Sequence, residues 1–150
     1  MNSNQPILIV EDSDEDYEVT VWALRKAGVE RPILRAKRAR EGYELMQGQA
    51  DSHEPATART PSPCLVLLDL NLPGGDGREL LTLLRSHEHP SAIPVVVLST
   101  SDNPRDIDAC YRLGAAGYLC KPMKLELFAQ RIRDLAAYWF GAVHLPGMIT

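Results

Sequence analysis

LVLLDLNLPGGDG, residues 65–77, is the stretch that decides the fold. Leu65 to Leu68 is apolar with no polar alternation, so as a strand it must be covered on both faces, as parallel strands inside α/β sheets are. Pro73, Gly74 and Gly75 end the run in a loop. Asp69 is thereby delivered to the carboxyl end of the strand. In open α/β sheets ligands bind outside that edge, at the crevice where strand order reverses. A carboxylate is costly to bury unless it is paired or coordinates something, which makes Asp69 the first candidate functional residue.

The same pattern recurs on both sides of this stretch. PILIV at 6–10 breaks abruptly into Glu11-Asp12-Ser13-Asp14-Glu15-Asp16, a second buried strand ending in acids. Pro94 to Leu98 is a third, followed by the hydroxyls Ser99-Thr100-Ser101, and Gly117 to Cys120 is a fourth that delivers a cation, Lys121, ahead of Pro122. Ile33 to Ala36 is a weaker fifth. Between them lie helical segments. Ser13 or Asp14 caps the first, with Tyr17, Val21 and Leu24 at helical spacing and Gly28 past its end. Asp14, Glu15 and Asp16 read as a solvated first turn matched to the positive end of the helix dipole. A second helix covers about Ala39 to Gln47, with Tyr43 and Met46 on one face, and Asp76 caps a third over Gly77 to His87, with Leu80, Leu81 and Leu84 facing the sheet. The fourth starts at Asp102 or Asn103 with Pro104 at its first position and stops at Gly114. The last runs from Lys124 to Phe140, its inward stripe being Leu125, Phe128, Ile132, Leu135 and Trp139. Residues 48–63 form a long polar loop, and His53, His87 and His89 have no partner at metal-ligand spacing.

Five strands alternating with five helices give an α/β fold, a doubly wound five-stranded parallel sheet of the flavodoxin-like kind. Right-handed crossovers and strand order 2-1-3-4-5 place Asp12 beside Asp69.

With 150 residues the chain fits one domain. Its 45% hydrophobic and 24% charged residues exclude a disordered or fibrous protein. A net charge of −4, with basic residues scattered among acids, speaks against a nucleic-acid partner. The longest apolar run, Cys64 to Leu68, is too short to span a membrane, and no signal segment opens the chain, so a cytoplasmic location is expected. Cys64, Cys110 and Cys120 cannot all pair and are read as buried or half-buried thiols in a reducing compartment.

Glu11, Asp12 and Asp69 in one crevice put up to three negative charges together, which calls for a cation. Oxygen donors with no nearby His or Cys select Mg²⁺. An aspartate beside Mg²⁺, a hydroxyl (Ser99) and a lysine (Lys121) is the inventory for an aspartyl-phosphate. An aspartyl-nucleophile phosphohydrolase is the alternative. Such enzymes commonly need an acid two residues after the nucleophile, where this chain has Asn71, and the chain has no substantial cap insertion.

Four motifs in order, VED at 10–12, LLDLNLP at 67–73, LST at 98–100 and YLCKP at 118–122, resemble the response-regulator receiver domain of two-component phosphorelays from about Pro6 to Phe140. The resemblance implies Asp69 as phosphoacceptor and a histidine kinase as partner. It implies Mg²⁺ held by Asp12, Asp69 and the backbone carbonyl of Asn71, with Glu11 acting through a water. It also assigns Ser99 and Tyr118 to the switch and Lys121 to phosphate binding. The long loop, the DLNLP form and the aromatic end Tyr138-Trp139-Phe140 are similar to the small regulators that serve bacterial phytochromes, which admits a light-sensing kinase. Residues 141–150 read as a tail without an output domain, so the signal passes to a separate effector, to a phosphotransfer protein or to self-association. Tyr138 and Phe140 lie off the inward stripe of the last helix. Exposed aromatics there favour a homodimer through the fourth helix, fifth strand and last helix, unless the tail VHLPGMIT folds back over them.

Overall fold

The computed structural model describes residues 5–47, 61–72, 77–86 and 92–146. The strands are β1 Ile7–Val10, β2 Ile33–Ala36, β3 Leu65–Asp69, β4 Val95–Ser99 and β5 Gly117–Cys120; the helices are α1 Asp14–Lys26, α2 Ala39–Met46, α3 Arg78–Ser86, α4 Pro104–Arg112 and α5 Leu125–Ala137. Every strand pair is parallel, and the sheet order is β2-β1-β3-β4-β5, as the sequence predicts. Residues 48–60 of the long loop with His53, the stretch 73–76 with the proposed Asp76 cap, and His87 and His89 lie outside the described residues.

Two cores follow from the pleat, because successive side chains of a strand point to opposite faces. Ile7, Ile9, Leu65, Leu67, Val96 and Leu98 meet Ala23 and Leu24 of α1 and Phe128, Ile132 and Leu135 of α5. Leu8, Val10, Val66, Leu68, Val95 and Val97 meet Met46 of α2, Leu80 and Leu81 of α3, and Cys110 of α4. The helix ends obey local chemistry. Ser13 caps α1 by accepting the Asp16 amide at 3.2 Å, and Asn103 caps α4 by accepting the Arg105 amide at 2.9 Å ahead of Pro104. Gly28 and Gly114 take φ of 88° and 98° past the ends of those helices, the left-handed region where a side chain is strained.

Three expectations need correction. Leu125 is not on the buried stripe of the last helix; it sits in the first turn and is 56% exposed at the rim of a cleft. Phe140 is not an exposed aromatic. After Ala137 the backbone widens into a π-helical turn, Tyr138–Ala142, closed by a bond from the Val143 amide to the Tyr138 carbonyl at 3.1 Å. The wider turn shifts the stripe. Trp139 and Phe140 pack against the α1/α5 core, with the Arg31 guanidinium 4.8 Å from the Phe140 ring centre, while Tyr138 stays exposed. The chain then folds back far enough to bury Leu145 in the same core. Finally, Cys64 and Cys110 are buried but Cys120 is exposed, because it ends an edge strand that has a neighbour on one side only.

Candidate functional site

The register explains which side chains meet. Val10 pairs with Leu68, so Glu11 and Asp69 leave their strands side by side, and Asp69 in turn pairs with Leu98 of β4. The ladder runs on past the strands: the Glu11 amide donates to the Ala36 carbonyl at 2.8 Å and the Lys121 amide to the Ser99 carbonyl at 2.7 Å. Two-residue periodicity carries Glu11 on from Ile9, Asp69 from Leu67 and Lys121 from Leu119, all toward the α1/α5 side. Three ionisable groups from three strands therefore converge on one face.

Glu11 and Asp69 are both buried, at 3% and 4% exposure. The Lys121 ammonium forms a direct ion pair with Asp69 Oδ2 and lies 3.4 Å from Glu11 Oε1. The other oxygen of each carboxylate takes a backbone amide: Asn71 donates to Asp69 Oδ1 at 2.7 Å, and Ser13 donates to Glu11 Oε2 at 3.3 Å. These neighbours split the two acids. Burial, reinforced by the hydrogen bond and the charge of Asp69, pushes the Glu11 carboxyl up to about 8. Burial acts on Asp69 in the same sense, but hydrogen bonds from Glu11 and Lys121, the Lys121 charge and the Asn71 amide together hold its carboxyl below the ordinary range. The Lys121 ammonium is itself disfavoured by burial and more than restored by Asp69, then Glu11 and Asp16, so its pKa is raised. The charged form is thus disfavoured at Glu11 and favoured at Asp69 and Lys121.

A cleft of about 580 Å³ opens over this group, lined among others by Asp12, Asp16, Asn71, Thr100, Met123 and Leu125. Among the described residues one set of carboxylates lies close enough to share an ion: oxygens of Glu11, Asp16 and Asp69, all within 4.8 Å of one another. Asp16 is the residue that the sequence reading left to solvent. Its signal was present, because Asp16 stands four residues before Thr20 and eight before Leu24, the buried stripe of α1. Asp12, expected beside Asp69, lines the cleft, but its carboxylate is outside that close set. Ser99 is buried at the same edge of the sheet, its Oγ accepting the Ser101 amide at 3.1 Å, while Thr100 lines the cleft. Tyr118 packs on the α4 side, and its hydroxyl donates to the Ser101 carbonyl at 2.9 Å.

Comparison with known proteins agrees with this geometry. The family model described as the response regulator receiver domain matches residues 7–133. The chain belongs to the response regulator receiver family. Response regulator Rcp1 of Synechocystis is 34% identical over 146 residues, 96% of either chain. The phosphorylated cyanobacterial phytochrome response regulator RcpA superposes with a TM-score of 0.81 at 31% identity, covering 96% of this chain and 99% of its own. The Mn²⁺-bound form of Rcp1 gives a TM-score of 0.79 at 32% identity over 95% and 99% of the two chains. This receiver is therefore a phosphoacceptor-type signalling module related to phytochrome response regulators. Its donor set also fits a hard divalent cation: three carboxylates and Asn71, with no His or Cys among the described residues that line the cleft. Among the described residues no helix is long and apolar enough to cross a membrane.

Proposed function

We propose that this receiver accepts a phosphoryl group on Asp69 from the phosphohistidine of a histidine kinase. The observation that carries the reading is the ion pair of the buried Asp69 with the half-buried Lys121 at the carboxyl edge of β3, flanked by Glu11 and Asp16. The free lone pair of Asp69 attacks phosphorus, the P–N bond to the donor imidazole breaks, and the imidazole leaves with the electron pair. Lys121, already on Asp69, follows the charge onto the phosphoryl oxygens. Ser99 accepts the Ser101 amide and keeps its own hydroxyl proton to donate to one of those oxygens. Asp69, Asp12 and the Asn71 carbonyl are the proposed direct ligands of Mg²⁺, with Glu11 acting through water and Asp16 joining the set. Held by these residues, Mg²⁺ would supply neutralisation of the phosphoryl oxygens. The same groups assist both gain and loss of the phosphoryl group. The aspartyl-phosphohydrolase alternative is disfavoured by Asn71, which can neither give nor take the leaving-group proton.

The test is labelling by acetyl phosphate or phosphoramidate with Mg²⁺. Wild type incorporates one phosphoryl group and Asp69→Asn none, whereas full labelling of Asp69→Asn places the phosphate elsewhere. The likeness to phytochrome response regulators supports a light-sensing kinase as donor in the cytoplasm, and a phosphotransfer profile against candidate kinases decides it. A phosphorylation-dependent homodimer through α4, β5 and α5 is supported by Tyr111, Leu127 and Tyr138, each at least half exposed. Sedimentation of the wild type and Tyr138→Ala, with and without phosphorylation, checks it, and a strictly monomeric wild type removes it.

A further inference from the structure

Arg35 stands next to the end of β2, paired in register with Ile9 of β1, two residues before Glu11. All three of its guanidinium nitrogens are engaged, and all on one short segment. Nε donates to the Glu11 carbonyl at 3.1 Å, Nη2 to the Asp12 carbonyl at 3.3 Å, and Nη1 to the Asp14 carboxylate at 2.7 Å. The flat face of the same group lies 4.5 Å from the ring centre of Tyr17, in the first turns of α1. A planar fork held by stacking makes such contacts with little loss of freedom per bond. The segment it grips is the β1–α1 turn, which presents the Glu11, Asp12 and Asp16 carboxylates to the cleft.

We propose that Arg35 is a positioning residue for the cation site: by fixing the backbone of Glu11 and Asp12 and the start of α1, it holds the acidic turn in its metal-binding shape. The inference rests on the divalent-cation reading above. Outer groups that orient ligands typically contribute 10–100-fold to metal affinity. The sign of the effect separates positioning from mere proximity. Arg35 is a positive charge close to a cation site, so if it acted only through its charge, removing it would tighten Mg²⁺ binding. If it holds the turn, removal weakens binding.

The experiment is calorimetric titration of Mg²⁺ into wild type, Arg35→Gln and Arg35→Lys, with amide hydrogen exchange of residues 11–16 measured on the metal-free proteins. Arg35→Gln is expected to bind Mg²⁺ about 10–100-fold more weakly and to exchange faster in this segment, with Arg35→Lys in between. Equal or tighter Mg²⁺ binding by folded Arg35→Gln overturns the proposal. If Arg35→Gln does not fold, Arg35→Lys decides by the same criterion. A wild type that fails to bind Mg²⁺ removes the metal reading, and the exchange rates alone then decide whether Arg35 holds the turn: faster exchange supports it and unchanged exchange overturns it.

Discussion

The two ends of the sheet use similar parts for opposite purposes. At the carboxyl edge, Arg35 stacks on Tyr17 and grips the carbonyls of Glu11 and Asp12; at the amino edge, Arg31 stacks on Phe140 and donates to the Gln5 carbonyl at 3.3 Å and toward Cys64 Sγ at 3.8 Å. One arginine borders a set of acids whose charge is incompletely balanced. The other borders the α1/α5 core, in which Leu145 of the returning chain is also buried. The contrast teaches that binding capacity here comes from residual electrostatic imbalance at one edge, and stability from apolar closure at the other.

That division can be broken by substitution. Leu145→Ala removes a fully buried side chain of the α1/α5 core and is expected to cost about 2–5 kcal/mol in chemical denaturation while leaving Mg²⁺ affinity of the folded protein unchanged. A marked loss of affinity would show that the two ends are not independent. Lys121→Ala keeps the nucleophile and removes its cation. Phosphorylation by acetyl phosphate is expected to slow on the order of 10²-fold, as for loss of one preorganised charge-stabilising donor, and an unaltered rate would take Lys121 out of the chemistry. Gly77→Ala sharpens the comparison from the backbone side. A Cβ at Gly77 would stand 2.6 Å from the Asp69 carbonyl oxygen and 2.7 Å from the Leu70 Cα, both main-chain atoms that cannot swing away. Overpacking of this kind costs about 1–3 kcal/mol, read as a lower melting temperature, and it displaces the strand end that carries Asp69. Smallest is Tyr138→Ala, an exposed position whose effect on monomer stability is expected within about 0.5 kcal/mol; a larger loss would mean that Tyr138 belongs to the α1/α5 core after all.

The sheet order and the residues at its carboxyl edge were legible because the buried strands are short, unbroken apolar runs, each ending in a chemically distinct group. Glu11, Asp69 and Lys121 could be read as neighbours from that alone. Asp16 was passed over: its acidic neighbours Asp14 and Glu15 look the same locally, and only its spacing to the buried Thr20 and Leu24 sets it apart. The π-helical turn was hidden as well: Ala136-Ala137-Tyr138-Trp139-Phe140 continues a helical pattern smoothly, and only the packing of Phe140 under Arg31 and of Leu145 in the core reveals the widened turn. Arg35 carried no sequence signal, because its partners are backbone carbonyls, which no side-chain pattern records.

The central claim is that the imbalance at the carboxyl edge serves one acceptor, Asp69. Phosphorylation from a phosphohistidine donor, followed by borohydride reduction of the acyl phosphate and mass spectrometry of the digested chain, reads the acceptor directly. The account predicts homoserine at position 69 and nowhere else; homoserine at position 12 or 16 with Asp69 intact would contradict it.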